Sequence, residues 1–176
     1  SFYKGLDHIQ LKDGRDKVIL NRDDASGFRL DTTYTHKQHK VLAHENNPEL
    51  TTRTDFVNKY KSILQTTSYF FMTTESTPEA CVGIVKPHKV YEKNPAQHGA
   101  DFELLHTIPS LQHVLENKDV DCIRVDGATD EGPAHLEVQF MWTERHVKLA
   151  KKCTIVTSRY SGGSYLNSVE LVKWLY

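Results

Sequence analysis

The 176-residue chain lacks any apolar run approaching the roughly 18 residues that a membrane-spanning helix needs. It also lacks a basic excess, because 22 Lys and Arg face 23 Asp and Glu and the net charge is −1. Neither a membrane partner nor a strongly basic module that wraps DNA by charge alone is therefore expected. A catalytic domain whose carboxylates first bind metal ions is compatible with this balance.

Cysteine is scarce. The three cysteines, Cys81, Cys122 and Cys153, lie far apart, and no pair has the C-x-x-C spacing of zinc or redox sites. Two of the three fall in strand-like apolar runs. We interpret them as buried free thiols of a protein in a reducing compartment.

Hydrophobic patterning predicts the secondary structure. Strands are predicted over residues 18–20, 28–30, 69–72, 81–90, 120–125 and 153–157. Residues 26–27 are a turn signal, which predicts that residues 28–30 return as a hairpin. Helices are predicted over residues 54–64, 102–115 (with a break at Pro109), 136–147 and 167–175, and a loop over residues 94–99. Phe140 and Trp142 are assigned to the core.

The length favours one domain over residues 1–176, with an insertion of about residues 31–80 after the first hairpin. Strands that alternate with helices after residue 80 predict an α/β fold, a mixed sheet with helices on both faces. In such sheets the reactive groups collect at the carboxyl ends of strands.

Acidic residues stand at these predicted strand and helix ends. Asp23 and Asp24 follow the first strand, Asp126 follows the strand at 120–125, and Glu170 opens the last helix. Such acids can hold two divalent ions for phosphodiester chemistry. Each also has an ordinary explanation, since Asp126 could belong to a turn, Glu170 to a helix first turn, and Asp23 or Asp24 to a hairpin.

Three runs carry a family resemblance: LNRDD over residues 20–24, IRVDG over residues 123–127 and SRYSGGSYLNSVE over residues 158–170. Together they resemble the ribonuclease-H-like catalytic core of DDE-type transposases and retroviral integrases, in particular of eukaryotic transposon-derived proteins. The resemblance implies metal-dependent DNA cleavage and strand transfer, with Asp23, Asp126 and Glu170 as catalytic acids. The gaps of 103 and 44 residues between these acids depart from the integrase pattern, and the first gap requires an insertion.

The same resemblance implies the ligands and partners. Two Mg²⁺ or Mn²⁺ ions would be bound by the three acids. Asp24 competes with Asp23 for the first position, because strand alternation sends the two side chains to opposite faces. We favour Asp23, and the choice stays open. DNA would be the partner, a homo-oligomer would assemble on it, and the location would be the nucleus. The residues expected to contact the DNA backbone are Arg159, Tyr160, Ser161 and Ser164.

Two alternatives remain beside this hypothesis. One is an inactive, domesticated transposase-derived module for DNA binding or assembly, and the other is a ribonuclease-H-like nuclease that cleaves without strand transfer. Asp130 and Glu131 are interpreted as acids that cap the start of the helix at 136–147. A supporting or general-base role near Asp126 is the alternative for these two.

Overall fold

The computed structural model describes residues 17–29, 33–35, 50–52, 63–72, 78–128 and 131–158. The strands are β1 (Lys17–Arg29), β2 (Thr33–Thr35), β3 (Leu50–Thr52), β4 (Ile63–Met72), β5 (Pro78–Pro87), β6 (Val120–Val125) and β7 (Cys153–Ser158). The helices are α1 (Pro95–His106), α2 (Gln112–Leu115) and α3 (Leu136–Lys148), with a 3₁₀ turn at Pro109–Leu111. No helix among these is long and apolar enough to cross a membrane.

A five-stranded sheet with the order β5-β4-β1-β6-β7 forms the centre of the fold. The pairs β1–β6 and β6–β7 are parallel, and each connection between them contains helix. β2 and β3 form a separate parallel pair. The predicted class, an α/β mixed sheet flanked by helices, is confirmed.

One face of this sheet packs against α1 and α3. Alternate residues of the central strands, such as Val18, Leu20 and Ile123, point into one cluster with the two helices. In that cluster the rings of Phe102 and Trp142 meet edge to face at 5.9 Å. Burying each such large side chain stabilises the fold by roughly 1.5–3 kcal/mol, so α1 and α3 are fixed to the sheet mainly by apolar contact.

The other face of the sheet is buried at its centre as well. Ile19, Phe70 and Cys122 alternate with residues of the helix-side cluster and are only 4%, 2% and 2% exposed. Burial raises the pKa of the Cys122 thiol. The helix predicted over residues 167–175 lies outside the described residues, so helices on both faces stay a prediction.

The described residues form two compact units. The first contains residues 17–23, 67–72, 78–84, 93–128 and 131–158, and the second contains residues 24–29, 33–35, 50–52, 63–66 and 85–92. The cluster beneath α1 and α3, together with Asp23 and Asp126, belongs to the first unit. A single domain over residues 1–176 with an insertion at about 31–80 stays a prediction.

Two strand predictions are wrong in their bounds. β1 continues through residues 26–27 to Arg29, so the predicted hairpin turn is absent there. Small residues do not force a turn where a neighbouring strand, here β4, supplies the hydrogen bonds. Ile63 and Leu64, predicted on a helix, begin β4, while residues 54–60 lie outside the described residues. The strands predicted at 120–125 and 153–157 are confirmed.

The helix predictions are partly right. The loop predicted at 94–99 is wrong, because Asn94 accepts a 2.8 Å hydrogen bond from the Gln97 amide and Pro95 opens α1. The break at Pro109 and the helix beginning at Leu136 are confirmed.

The structure buries some of the residues that the sequence assigned to the interior and exposes others. Trp142 is 6% exposed, as expected, whereas Phe140 on the same helix is 65% exposed and does not belong to the core. Cys122 is buried, but Cys81 and Cys153 are exposed, so the expectation of buried thiols holds for one cysteine only. The three cysteines differ because Cys122 lies on the interior strand β6, whereas Cys81 and Cys153 lie on β5 and β7 at the edges of the described sheet.

Candidate metal centre on two parallel strands

The register of β1 against β6 determines which acids are neighbours. The paired residues run from Lys17 with Val120 to Asn21 with Arg124, a constant separation of 103 positions. Asp23 and Asp126 are separated by the same number of positions. Continued by two residues, the ladder would set Asp23 against Asp126, with the two strands roughly 5 Å apart. Asp126 directly follows the carboxyl end of β6, where reactive groups of α/β sheets collect, whereas Asp23 lies within β1, which continues to Arg29.

Strand alternation distinguishes the two candidate first acids. Val18 and Leu20 face α1 and α3, so Arg22 and Asp24 take that face while Asp23 takes the opposite one. Val125 also faces the helices, so the same alternation gives Asp126 the face of Asp23. Asp23 is 8% exposed and Asp126 is half-buried. Extended to residue 126, one position past the end of β6, the alternation predicts one face for Asp23 and Asp126 and the other for Asp24.

These two carboxylates fit a divalent cation. Mg²⁺ and Mn²⁺ prefer hard oxygen ligands and retain several waters, so few carboxylates are needed. Two like charges on adjacent strands also repel each other unless a cation or a proton intervenes. The predicted third acid, Glu170, lies outside the described residues. So do the predicted DNA contacts Arg159, Tyr160, Ser161 and Ser164.

The chain turns sharply directly after Asp126. The Gly127 amide donates to Asp126 Oδ1 at 3.0 Å, and the Gly132 amide donates to the Ala128 carbonyl at 2.6 Å. The Asp126 amide itself donates to Glu131 Oε2 at 3.3 Å. The carboxylate of Glu131 is thus folded back onto the backbone of the residue that ends the strand.

Glu131 has a buried charged partner. Its Oε2 lies 3.5 Å from Arg22 NH2, and the two side chains are 1% and 2% exposed. A ring nitrogen of His98 on α1 also lies within 4.8 Å of a Glu131 carboxylate oxygen. The prediction that Glu131 caps the next helix is wrong, because the N-cap of α3 is His135, which has no side-chain capping bond. Asp130 lies outside the described residues.

Sequence reasoning missed the role of Arg22. Its position carries a usable signal, because Arg22 continues the alternation of Val18 and Leu20 onto the helix face. A charged residue at an apolar position of a buried strand requires a buried counter-charge. The identity of that partner, Glu131, depends on long-range packing and is not visible in local sequence.

A groove of about 870 Å³ opens between α1 and α3, on the helix face of the sheet. Its lining combines apolar side chains, such as Phe140 and Met141, with the charged Arg22 and Lys148. Neither Asp23 nor Asp126 is among the described residues that line it. The candidate metal centre and this groove are therefore separate features.

No model of a known protein family matches the chain. No curated protein matches it in sequence. Among solved structures it is similar to ribonuclease H1 from the halophilic archaeon Halobacterium salinarum NRC-1, with a TM-score of 0.41 and 9% identity. That match covers 87% of this chain and 92% of the ribonuclease.

The chain is also similar to structures of Mos1. A pre-cleavage Mos1 transpososome matches with a TM-score of 0.40 and 12% identity, covering 98% of this chain and 51% of that chain. The Mos1 transposase paired-end complex with the left transposon end matches with a TM-score of 0.39 and 13% identity, covering 98% and 50%. The chain thus spans about half the length of the Mos1 chains. Its fold class is established by its own sheet order and register, and in sequence it is similar to these proteins only at low identity.

Proposed function

We propose that this chain is the catalytic domain of a DDE-type transposase or integrase, which cleaves DNA and transfers the cut strand. The observation that supports the proposal is the β1–β6 register, which would pair Asp23 with Asp126 if it continued for two residues beyond Asn21 and Arg124. Adjacent carboxylates on rigid, buried strands are what two-metal phosphodiester chemistry requires. Glu170, which follows in the chain, is the proposed third acid.

The proposed cofactor is a pair of Mg²⁺ or Mn²⁺ ions, held by Asp23, Asp126 and Glu170. When bound, such ions neutralise the phosphate and activate the attacking hydroxyl or water. Asp24 is the alternative first ligand, and the alternation that gives Asp23 and Asp126 one face supports Asp23.

The protein's own contribution is positioning. β1 lies at the centre of the sheet and β6 beside it. Asp23 therefore lies on a buried strand, and Asp126 directly follows one. The Gly127 amide orients Asp126 Oδ1. We further propose that Arg159, Tyr160, Ser161 and Ser164 contact the DNA backbone, that the protein assembles as a homo-oligomer on DNA, and that it acts in the nucleus.

The test uses a supercoiled plasmid and a labelled duplex oligonucleotide with free 3′ hydroxyls, incubated with the protein in Mg²⁺ or Mn²⁺. Nicking converts the plasmid to open circles, and joining attaches the label to the plasmid. Loss of one metal ligand removes several kcal/mol of transition-state stabilisation, so Asp23→Asn and Asp126→Asn should each lower the rate by at least about a thousandfold.

The matched control is Asp119→Asn, which changes an acid at the other end of β6. Asp119 is paired at the surface with Lys152, at 2.6 Å, and its replacement should leave the rate unchanged. Nicking without joining would replace the proposal with a nuclease that lacks strand transfer. Metal binding with neither reaction would replace it with an inactive DNA-binding or assembly module. Equal rates in the parent and Asp126→Asn would put the chemistry elsewhere.

A further inference from the structure

We infer that Glu131 is the positioning residue for Asp126, and that Arg22 holds Glu131 in place. This inference rests on the proposed function, which makes Asp126 a metal ligand. The contact is between the Glu131 carboxylate and the backbone of Asp126, since the Asp126 amide donates to Glu131 Oε2 at 3.3 Å. Glu131 therefore acts on the backbone that directs the Asp126 side chain.

The ladder between β1 and β6 explains why such a contact is needed. Backbone pairing between the strands extends to Asn21 with Arg124. Asp23 and Asp126 lie two residues beyond that point, and Asp126 is the first residue after the end of β6. The Asp126 amide is satisfied there by a side chain instead of by a strand. Glu131 thus restrains the backbone of Asp126, the proposed metal ligand, beyond the last paired residues of the two strands.

Arg22 connects Glu131 to β1 as well, so the restraint on Asp126 involves both β1 and β6. Arg22 immediately precedes Asp23 on β1, and its guanidinium lies 3.5 Å from Glu131 Oε2. One carboxylate oxygen therefore contacts the residue before the first acid and the amide of the second. Both side chains of the ion pair are at least 98% buried, so neither charge has water as an alternative partner. The ion pair therefore links β1, which carries Asp23, to Glu131, which contacts the backbone of Asp126.

The turn itself keeps Glu131 directed inward. The amides of Glu131 and Gly132 both donate to the Ala128 carbonyl, at 3.1 Å and 2.6 Å. A Cβ atom at Gly132 would lie 3.0 Å from that carbonyl oxygen and 3.2 Å from the Gly127 carbonyl carbon, so the close approach depends on glycine. These contacts of Glu131 and Gly132 with Ala128 therefore hold Glu131 close to the end of β6.

The experiment measures backbone position and metal binding separately, in the folded protein. Amide hydrogen exchange at residue 126 is followed by NMR, and Mn²⁺ affinity is followed by titration against thermal stability. Glu131→Ala should accelerate exchange of this amide by at least about tenfold, because it removes a hydrogen bond to a charged acceptor. It should weaken Mn²⁺ binding by about 10- to 100-fold, the usual effect of removing a group that orients a ligand.

Glu131→Gln is the conservative variant, since it keeps the side-chain length and a carbonyl oxygen that can accept from the Asp126 amide. It should restore most of the amide protection and of the Mn²⁺ affinity, and it is also the variant to use if Glu131→Ala does not fold. Glu144→Gln, an exposed glutamate on α3, is the matched control and should change neither measurement.

Asp126→Asn separates failure of this inference from failure of the proposed function. It should abolish the Mn²⁺ response while amide 126 stays protected, because Glu131 is intact. If amide 126 stays protected in Glu131→Ala, or if Glu131→Gln behaves as the alanine variant does, the positioning role of Glu131 is wrong. If the parent shows no Mn²⁺ response that depends on Asp126, the proposed function is wrong, and with it the assignment of Glu131 to a metal ligand.

Discussion

Arg145 on α3 donates a 3.0 Å hydrogen bond from Nε to Asp121 Oδ2, at the opposite end of β6 from Asp126. Asp121 is fully buried, and Lys151 Nζ lies 3.1 Å from its other oxygen. The Arg145 guanidinium also covers the Phe102 ring, 4.0 Å from the centroid. This buried cluster fixes α3 to the strand that carries Asp126.

The first prediction concerns the free energy of unfolding. Asp121→Asn should lower it by about 3–5 kcal/mol, because two buried cations lose their counter-charge. Asp119→Asn, which changes the exposed partner of Lys152, should have a much smaller effect. Urea denaturation at neutral pH measures both. Similar losses in the two variants would show that the Asp121 cluster contributes no more to stability than an exposed ion pair does.

The second prediction concerns His106, whose Nε2 lies 3.0 Å from Arg145 NH1. Burial, and then the positive charges of Arg145 and Lys151, lower the pKa of His106 to about 4. The folded protein therefore binds this proton less readily than the unfolded chain, whose histidine pKa is about 6.5. The contribution to stability is complete above pH of about 6.5 and is lost as pH falls towards 4.

NMR titration of the His106 ring should find its midpoint well below those of exposed histidines. His106→Gln retains an acceptor for Arg145 and removes the titration. Its unfolding free energy should therefore fall less than that of the parent between pH 6.5 and 5. A His106 midpoint near 6.5 would contradict the assigned environment.

The third prediction contrasts two aromatic residues on α3. Trp142→Ala should destabilise the protein by about 3–5 kcal/mol, because the indole packs against Phe102 in the core. Phe140→Ala should change stability by less than about 1 kcal/mol, because that ring is 65% exposed. Denaturant titration of both variants provides the comparison, and a loss at Phe140 as large as that at Trp142 would mean that this helix face is covered.

The fourth prediction decides between the two candidate first acids. At 100 times its dissociation constant Mn²⁺ stabilises the folded state by about 2.7 kcal/mol, which should raise the melting temperature by about 5 °C or more. Asp23→Asn should lose most of this increase, whereas Asp24→Asn should retain it, because alternation gives Asp24 the other face. The reverse result would assign the ligand to Asp24.

The sequence predicts elements whose signal is local. The β-branched run at 120–125 gives β6 its bounds, and Pro109 gives the break after α1. The predictions for residues 26–27 and for Phe140 are wrong, because both depend on neighbours that are distant in sequence. β4 pairs with β1, and none of the described residues covers Phe140 fully. Asp126 is recognisable as an acid after a strand, and a supporting role for Glu131 is one of the alternatives that the sequence leaves open. The partner of Glu131 is not recognisable, since Arg22 lies on a strand far away in sequence.

The register of β1 and β6 also changes how the spacing of the acids should be interpreted. Hydrogen bonds between the strands, and not the length of chain between them, set the register that would bring Asp23 beside Asp126. Residues inserted or deleted between the two strands would alter the count of positions and leave that register unchanged. Alignments that score the interval between acids would treat such chains as unrelated, whereas alignments anchored on the strand pair would superimpose them.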